Sequence, residues 1–480
     1  MTTAYPPLKT LSALAALVLA GCASVAPDGL RGDVQALTAS RLPAQAQLPN
    51  APDTNAAAQA QQRKNEWLQR PVDSDTAVRI ALLNNAGLQA RLAQLGVQDA
   101  ERVQALTLLN PHLTLGRFSN AHEREIERQL TFSLLDLITL PWRTRWQGLQ
   151  MEQATLATAQ DVLRLAADTR RAWLRAVAAE QVLAAQERMH EAAEAGGELA
   201  RRMARVGNWS RLQQARELAV QQESAAQLSR ARLTAALERE QLTRLMGLWG
   251  TQVAYRLPSQ LPELPPASAL QGSEGIEATA LRERLDVRAL RLDLDHNADR
   301  AGWAGASRLF GDIGLSYSRN TATEKDSGHS TVTRGWEIEL PLPLFDWGGA
   351  ASGRARAQVQ RSAALLQAGA VQARSEARTA WLSYRTAWDL AHQQQAEVLP
   401  LARFINEETV LRYNGMFTSV WQLLAEARNT TQAVARATEA QRDFWLADTD
   451  LQLALTGTSP GALQGISAGA ASSTNAPQGH

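Results

Sequence analysis

Two hydrophobic periods alternate along the chain. In residues 330–342, Val332, Arg334, Trp336, Ile338, Leu340 and Leu342 alternate with Thr331, Thr333, Gly335, Glu337 and Glu339. A period of two predicts a β-strand with one mostly apolar face and one polar face. Ile313, Leu315 and Tyr317 alternate in the same way with Gly314, Ser316 and Ser318, and Leu130, Phe132 and Leu134 with Thr131 and Ser133. The strand over 111–120 is weaker, because Arg117 follows Leu113 and Leu115 on one face. The polar stretches SNAHEREIER and NTATEKDSGH join the strands in pairs, so hairpins are expected at 111–136 and 311–342. The remainder has the helical period. No proline occurs from Trp142 to Leu257 or from Leu344 to Leu399, and Leu163, Ala166, Leu174 and Val177 recur at threes and fours between Arg, Glu and Gln. Alanine-rich seams of this kind pack as coiled coils. The run from Trp142 to Arg205 would span about 95 Å, too long to fold back into a globule.

The pattern is written twice. PHLTLGRFSN (111–120) is matched by DIGLSYSRN (312–320), QLTFSLLDLITLPWR (129–143) by IELPLPLFDWGG (338–349), and RVGNWSRLQQARELA (205–219) by RYNGMFTSVWQLLAEAR (412–428). All three pairs keep one order at offsets of roughly 200 to 208, so an internal duplication is the simplest explanation. Repeat 1 is set at 76–256 and repeat 2 at 281–457, each a helix, a β-hairpin and a long helical hairpin. Residues 22–75, rich in Ala, Pro and Gln, read as an extended tether, 257–280 as a linker and 458–480 as a flexible tail.

Four strands of about 10 residues have the length of outer-membrane β-strands. Four cannot close, and an open sheet edge is not tolerated in hydrocarbon. Two chains would give an eight-stranded barrel filled by side chains, and three a twelve-stranded barrel wide enough for a lumen. The polar alternate face favours three. Trp142 and Trp347, at matching positions after the second strand of each hairpin, and Trp303 before the third strand are candidates for an aromatic belt at the lipid–water boundary. Core tryptophans at a strand–helix junction are the alternative. Pro141, Pro341 and Pro343 are expected at these junctions, ending a strand and opening a helix.

Composition and charge narrow the classes. The 480 residues carry 49 Lys+Arg against 48 Asp+Glu, which leaves no basic footprint for nucleic acid. Residues 1–21 have the form of a signal peptide: Lys9, then the apolar run LSALAALVLAGC, too short to span a membrane. Leu19-Ala20-Gly21-Cys22 resembles a bacterial lipobox, which implies a lipid such as palmitate on Cys22. The alternative is a plain signal peptide with an incidental cysteine. Cys22 is the sole cysteine, so no disulfide framework exists.

Catalysis has no support. No Ser/His/Asp or Cys/His arrangement stands out, and GWAGASRLFG lacks the closing Gly-Lys-Ser/Thr of a phosphate loop. Asp293, Asp295, His296 and Asp299 in RLDLDHNAD could approach a metal, but a solvated helix face is far more common, so no metal is expected. No cofactor is expected beyond the lipid on Cys22.

With these residues in place, the sequence resembles the TolC family of outer-membrane channels over nearly all of 76–457. PLPLFDWGG at 341–349 is similar to the family signature after the last strand. The resemblance implies a mainly α fold with a small β part: a homotrimer whose long helices form an α-barrel topped by a 12-stranded transmembrane β-barrel. It also implies an exit duct fed by an inner-membrane pump and a periplasmic adaptor, or alternatively a type I secretion channel. A lipidated coiled-coil adaptor and a structural lipoprotein without a pore are further alternatives. Ala23 after Cys22 fits sorting to the bacterial outer membrane. Drug, metal and peptide cargo all stay open, with drug and metal pumps ahead.

In that family the two glycine interruptions are the periplasmic tips. Arg205, Val206, Gly207, Asn208, Trp209 and Ser210, with Tyr413, Asn414, Gly415, Met416, Phe417 and Thr418, are then the adaptor-docking residues; a plain helix reversal is the alternative. Gly207 and Gly415 would supply the positive φ of the turns, and Ser210 and Thr418 the caps of the returning helices. Many members carry an aspartate pair past the second tip. Aligned on Gly415, those positions hold Trp421 and Leu424, and the first-repeat equivalents are Gln213 and Arg216. These four are the pore-constriction candidates, Trp421 as an apolar gate and Glu426 as a lesser source of charge.

Overall fold

The computed structural model of the chain describes residues 24–49, 54–306, 313–339 and 348–461. Its elements are α1 (Arg31–Thr38), α2 (Thr54–Leu68), α3 (Ser74–Asn84), α4 (Ala86–Leu106), β1 (His112–Ser119), β2 (Glu123–Ser133), α5 (Leu134–Arg205) and α6 (Arg211–Leu245). They continue with α7 (Ile276–Glu283), α8 (Leu285–Ala306), β3 (Gly314–Glu324), β4 (Ser330–Glu339), α9 (Gly349–Gln393), α10 (Leu399–Asn414) and α11 (Val420–Gln452). The chain is mostly helix with one small sheet. Two compact units contain these elements: one with 92–157 and 288–369, the other with 31–91, 158–287 and 370–480.

The first unit holds the sheet, antiparallel in the order β1-β2-β3-β4. The hairpins are real, but the polar stretch EREIER is strand, because β2 starts at Glu123 and pairs with both neighbours along its length. The β1–β2 turn is therefore short: Asn120 Oδ1 accepts from the backbone N–H groups of His122 and Glu123. Likewise NTATE belongs to β3, and Lys325 donates to the Asn120 carbonyl, tying the two hairpin ends together. At the other end β2 stops at Ser133 and Leu134 opens α5. Pro141 thus lies inside α5 rather than at its start. The Thr139 and Thr144 hydroxyls bond back to the Leu135 and Leu140 carbonyls around it. Trp142 sits on this helix, past the strand end, and is exposed. Pro341, Pro343, Trp347 and Cys22 lie outside the described residues, as does the side chain of Trp303.

The second unit has two apolar cores. One gathers Val72, Ile80, Trp173, Val177, Leu242 and Met246; the other Tyr384, Trp388, Phe444, Leu451 and Leu455. The duplication recurs as a break between paired helices. Asn85 separates α3 from α4 and Arg284 separates α7 from α8, both in extended conformation. Arg284 is 2 % exposed and reaches Asp286 at 2.5 Å and Glu376 at 2.7 Å. Its burial is tolerable because both partners are carboxylates.

Three segments expected to be loose are docked. The stretch before residue 75 contains α1 and α2, with Val34 and Thr38 fully buried and the Gln35 side chain bonded to both Ala46 and Leu48 backbones. The proline-rich linker is held by indoles: Trp445 donates to the Pro262 carbonyl, Trp388 to Pro265 and Trp381 to Gln271. Proline carbonyls stripped of a neighbouring N–H partner are natural acceptors for such donors. The tail begins with Thr458, fully buried, and Ser459, whose hydroxyl donates to Glu376.

Candidate functional site

The two helical turns are built alike. After α5, the N–H of Asn208 bonds the Met203 carbonyl and that of Gly207 the Ala204 carbonyl, with Gly207 at φ +79°. After α10, the N–H of Phe417 bonds the Arg412 carbonyl and that of Met416 the Tyr413 carbonyl. Both are helix stops whose turning residue is left-handed. In the second turn that residue is Met416, φ +61°, and not Gly415, which has φ −80°. Gly415 serves another need: a Cβ there would lie 2.8 Å from the Phe417 ring.

The returning helices start with matched caps. The Ser210 hydroxyl accepts from the Gln213 N–H while the Gln213 side chain accepts from the Ser210 N–H, a complete capping box. In the second turn the cap is Ser419, accepting from the Gln422 N–H, and Thr418 instead donates to the Gln422 side chain. The turns therefore superpose Gly207 on Met416 and Ser210 on Ser419, one residue away from an alignment on the two glycines. Leu212, not Gln213, is the counterpart of Trp421, and Ala215, not Arg216, that of Leu424.

These turns expose apolar side chains. Met416 is 93 % and Phe417 87 % exposed, and Val206 and Leu212 are exposed beside their own turn. Arg205, Asn208, Tyr413 and Asn414 are also exposed. Trp209 and Trp421 are half-buried against each other, with ring centroids 4.0 Å apart. Of the constriction candidates, Gln213 is occupied as a cap, Arg216 is exposed and Leu424 packs over Gly196 of α5. Asn429 donates to the Glu426 carboxylate. Sequence reasoning missed Glu217, buried about two turns beyond the Ser210 cap, where burial pushes its carboxyl up and Arg428 opposes the shift.

In the first unit the sheet has two unlike faces. Cross-strand register puts Phe132 opposite Leu315 and Leu315 opposite Ile338, then Leu130, Tyr317 and Trp336 in the next row. Tyr317 and Trp336 touch at 4.9 Å. The other face carries mostly Ser, Thr, Gly and Glu, with Phe118 of β1 as an apolar exception opposite Glu125, and the Thr131 and Ser316 hydroxyls are bonded at 3.0 Å. Among the described residues β1 and β4 each pair on one side only.

The possible metal face is otherwise engaged. Asp293 accepts from Ser362, Asp299 pairs with Arg145 at 2.7 Å, and burial pushes the His296 imidazole down. Among the described residues no group of three or more His, Cys, Asp and Glu could hold a metal ion. Nor is any described helix long and apolar enough to cross a membrane.

No protein-family model and no curated protein sequence matches the chain. Solved structures do. The CmeC outer membrane channel of Campylobacter jejuni is 16% identical with a TM-score of 0.66, over 92% of this chain and 94% of that one. The outer membrane protein VceC of Vibrio cholerae is 16% identical with a TM-score of 0.63, over 85% and 100%. This chain has the TolC-family fold of outer-membrane channels. CusC, a protein that forms a transmembrane channel, is similar at a TM-score of 0.65 and 15% identity, over 81% of this chain and 92% of its own.

Proposed function

We propose that three copies of this chain form an outer-membrane exit duct, passing cargo from an inner-membrane pump and a periplasmic adaptor to the exterior. The observation that carries this reading is the four-stranded sheet, mostly apolar on one face and mostly polar on the other, with β1 and β4 each paired on one side only among the described residues. Unpaired backbone groups cost several kcal/mol each in hydrocarbon, about the expense that joining β1 of one copy to β4 of the next removes. The shared fold supports a duct rather than an enzyme. Cys22 is proposed to carry the lipid that anchors the chain to the outer membrane. The exposed turns around Gly207 and Met416 are proposed as the adaptor-docking surface.

The test uses the absence of any cysteine besides Cys22. A chain with Leu115→Cys and Val332→Cys, one on each outer strand, is treated with a bis-maleimide and then reconstituted in planar bilayers. Covalent ladders that stop at three copies, together with stepwise conductance, are expected. A ladder stopping at two, or bilayers that stay silent, would refute the duct.

A further inference from the structure

The apolar face of the sheet is interrupted by arginine at one height. Arg128 of β2 stands opposite Arg319 of β3, and Arg319 opposite Arg334 of β4. Leu115 of β1 completes that row, opposite Arg128. Arg117 and Arg124 lie on the same face, one and two rows nearer the hairpin turns. All five are exposed. Among the described residues none of them has an ion pair or a hydrogen bond through its guanidinium, whereas the Glu side chains of β2 alternate onto the opposite face.

Three like charges in one lateral row repel, since directly opposed residues are about 5 Å apart in an antiparallel sheet. The row also cannot lie in hydrocarbon, where one arginine on a barrel's lipid face costs about 2–4 kcal/mol at mid-bilayer and about 0–1 near the interface. Its placement meets both limits only if anions are supplied from outside. On the helix side of the row the same face is apolar (Leu130, Tyr317 and Trp336, then Phe132, Leu315 and Ile338), and in the sequence the alternation continues to Leu340 and Leu342. On the turn side comes a mixed row, Arg117, Ile126, Thr321 and Val332, and then a wholly polar one, Ser119, Arg124, Thr323 and Ser330. The arginines therefore mark the border between a band suited to acyl chains and one suited to water. A guanidinium pairs bidentately with phosphate, which a lysine ammonium does not.

We propose that Arg128, Arg319 and Arg334 form a binding row for the phosphate groups of anionic membrane lipids, fixing the height of the barrel in the bilayer. Arg117 and Arg124 extend the row toward the loops. The occupant is a lipid headgroup, because a free phosphate gains nothing from the acyl-sized apolar rows beneath. The inference rests on the barrel reading proposed above.

The full-length protein is reconstituted in phosphatidylcholine vesicles, and spin-labelled phosphatidylglycerol is compared with spin-labelled phosphatidylcholine for the motionally restricted lipid at its surface. The wild type should favour phosphatidylglycerol by about fivefold, the discrimination that one surface arginine gives an anionic headgroup. The preference should shrink in high salt and survive millimolar inorganic phosphate at constant ionic strength. A combined Arg128→Gln, Arg319→Gln and Arg334→Gln chain should lose it while retaining conductance. The salt series on the wild type needs no variant, so a misfolded triple variant does not leave the proposal untested. Conducting protein with restricted lipid but no preference, or a preference kept by the conducting triple variant or abolished by phosphate, overturns this proposal alone. Absence of both restricted lipid and conductance overturns the barrel reading and this proposal with it.

Discussion

Trp209 and Trp421 stack at 4.0 Å, one ring contributed by each of the two helical turns. The duplicated hairpins are thereby clipped to each other at their ends within one protomer. An aromatic pair of this kind contributes about 0.5–1.5 kcal/mol beyond the area it buries, so its loss should multiply local opening about two- to tenfold. Trp209→Ala and Trp421→Ala should each speed tryptic cleavage at Arg205 and Arg412 by such a factor, and the double variant should add little. Trp421→Ser should also raise single-channel conductance if the clip narrows the pore. Faster cleavage with unchanged conductance would keep the clip and discard the constriction.

Met416 holds a left-handed backbone that an L side chain adopts at a cost of about 1–2 kcal/mol. Its counterpart in the first turn is Gly207, so the sequence has a cheaper solution and does not use it twice. A strained residue that is 93 % exposed invites a functional reading. Met416→Gly should slow tryptic cleavage at Arg412, leave conductance unchanged and lower drug or metal resistance in a channel-deleted host. Gly415→Ala should do the opposite to the turn, pressing a Cβ against the Phe417 ring. Full export by Met416→Gly would remove this residue from the docking surface.

The two turns illustrate how far the sequence could be read. Glycine beside a helix end signals a stop, and both turns were legible from it, as the two hairpins were from their alternation. The one-residue offset was not, because the turning residue of the second copy is methionine and the signal that fixes register is the cap pair Ser210/Gln213 and Ser419/Gln422. Residues 123–128 escaped the strand pattern because Ile126 is the single apolar residue, set between Arg124 and Arg128 on one face with Glu on the other, too little hydrophobic contrast to show a period. The segment before residue 75 escaped because its packing depends on a few points, such as Val34 and the Lys64 ammonium on Asn84, rather than on a periodic face. The Trp209–Trp421 contact joins residues that lie far apart in the sequence, which no local pattern reports.

Glu217 makes the turn region sensitive to pH. It is 4 % exposed, and burial raises its carboxyl above the ordinary 4.5 against the opposing pull of Arg428. The folded chain therefore holds this proton more tightly than the unfolded chain does. Stability from this group is fully present below about pH 4.5 and is lost as pH rises through the folded value. Glu217→Gln keeps the shape without the charge. The variant should melt at a higher temperature than wild type at pH 7, and the two should converge toward pH 4.5, as followed by circular dichroism of the purified protein. A variant that melts lower at pH 7 would show that the ionised carboxylate is stabilising.

In the barrel proposed above, the polar face of the sheet should make the channel cation-selective. Glu123, Glu125 and Glu127 of β2, Glu324 of β3, and Glu337 and Glu339 of β4 all alternate onto it, and the basic strand residues other than His112 fall on the opposite face. Threefold repetition around a water-filled lumen would multiply this charge, and low-dielectric walls focus the resulting potential on ions in transit. In a potassium chloride gradient the reversal potential should favour potassium. Selectivity should weaken as salt rises from about 0.1 to 1 M, because the Debye length falls from about 10 Å to about 3 Å. Glu125→Gln with Glu127→Gln and Glu337→Gln should move the permeability ratio toward unity while leaving the Arg128 row and its lipid preference intact. A wild-type channel that prefers chloride would mean that the glutamate face does not line the pore, and the assignment of the two faces would have to be exchanged.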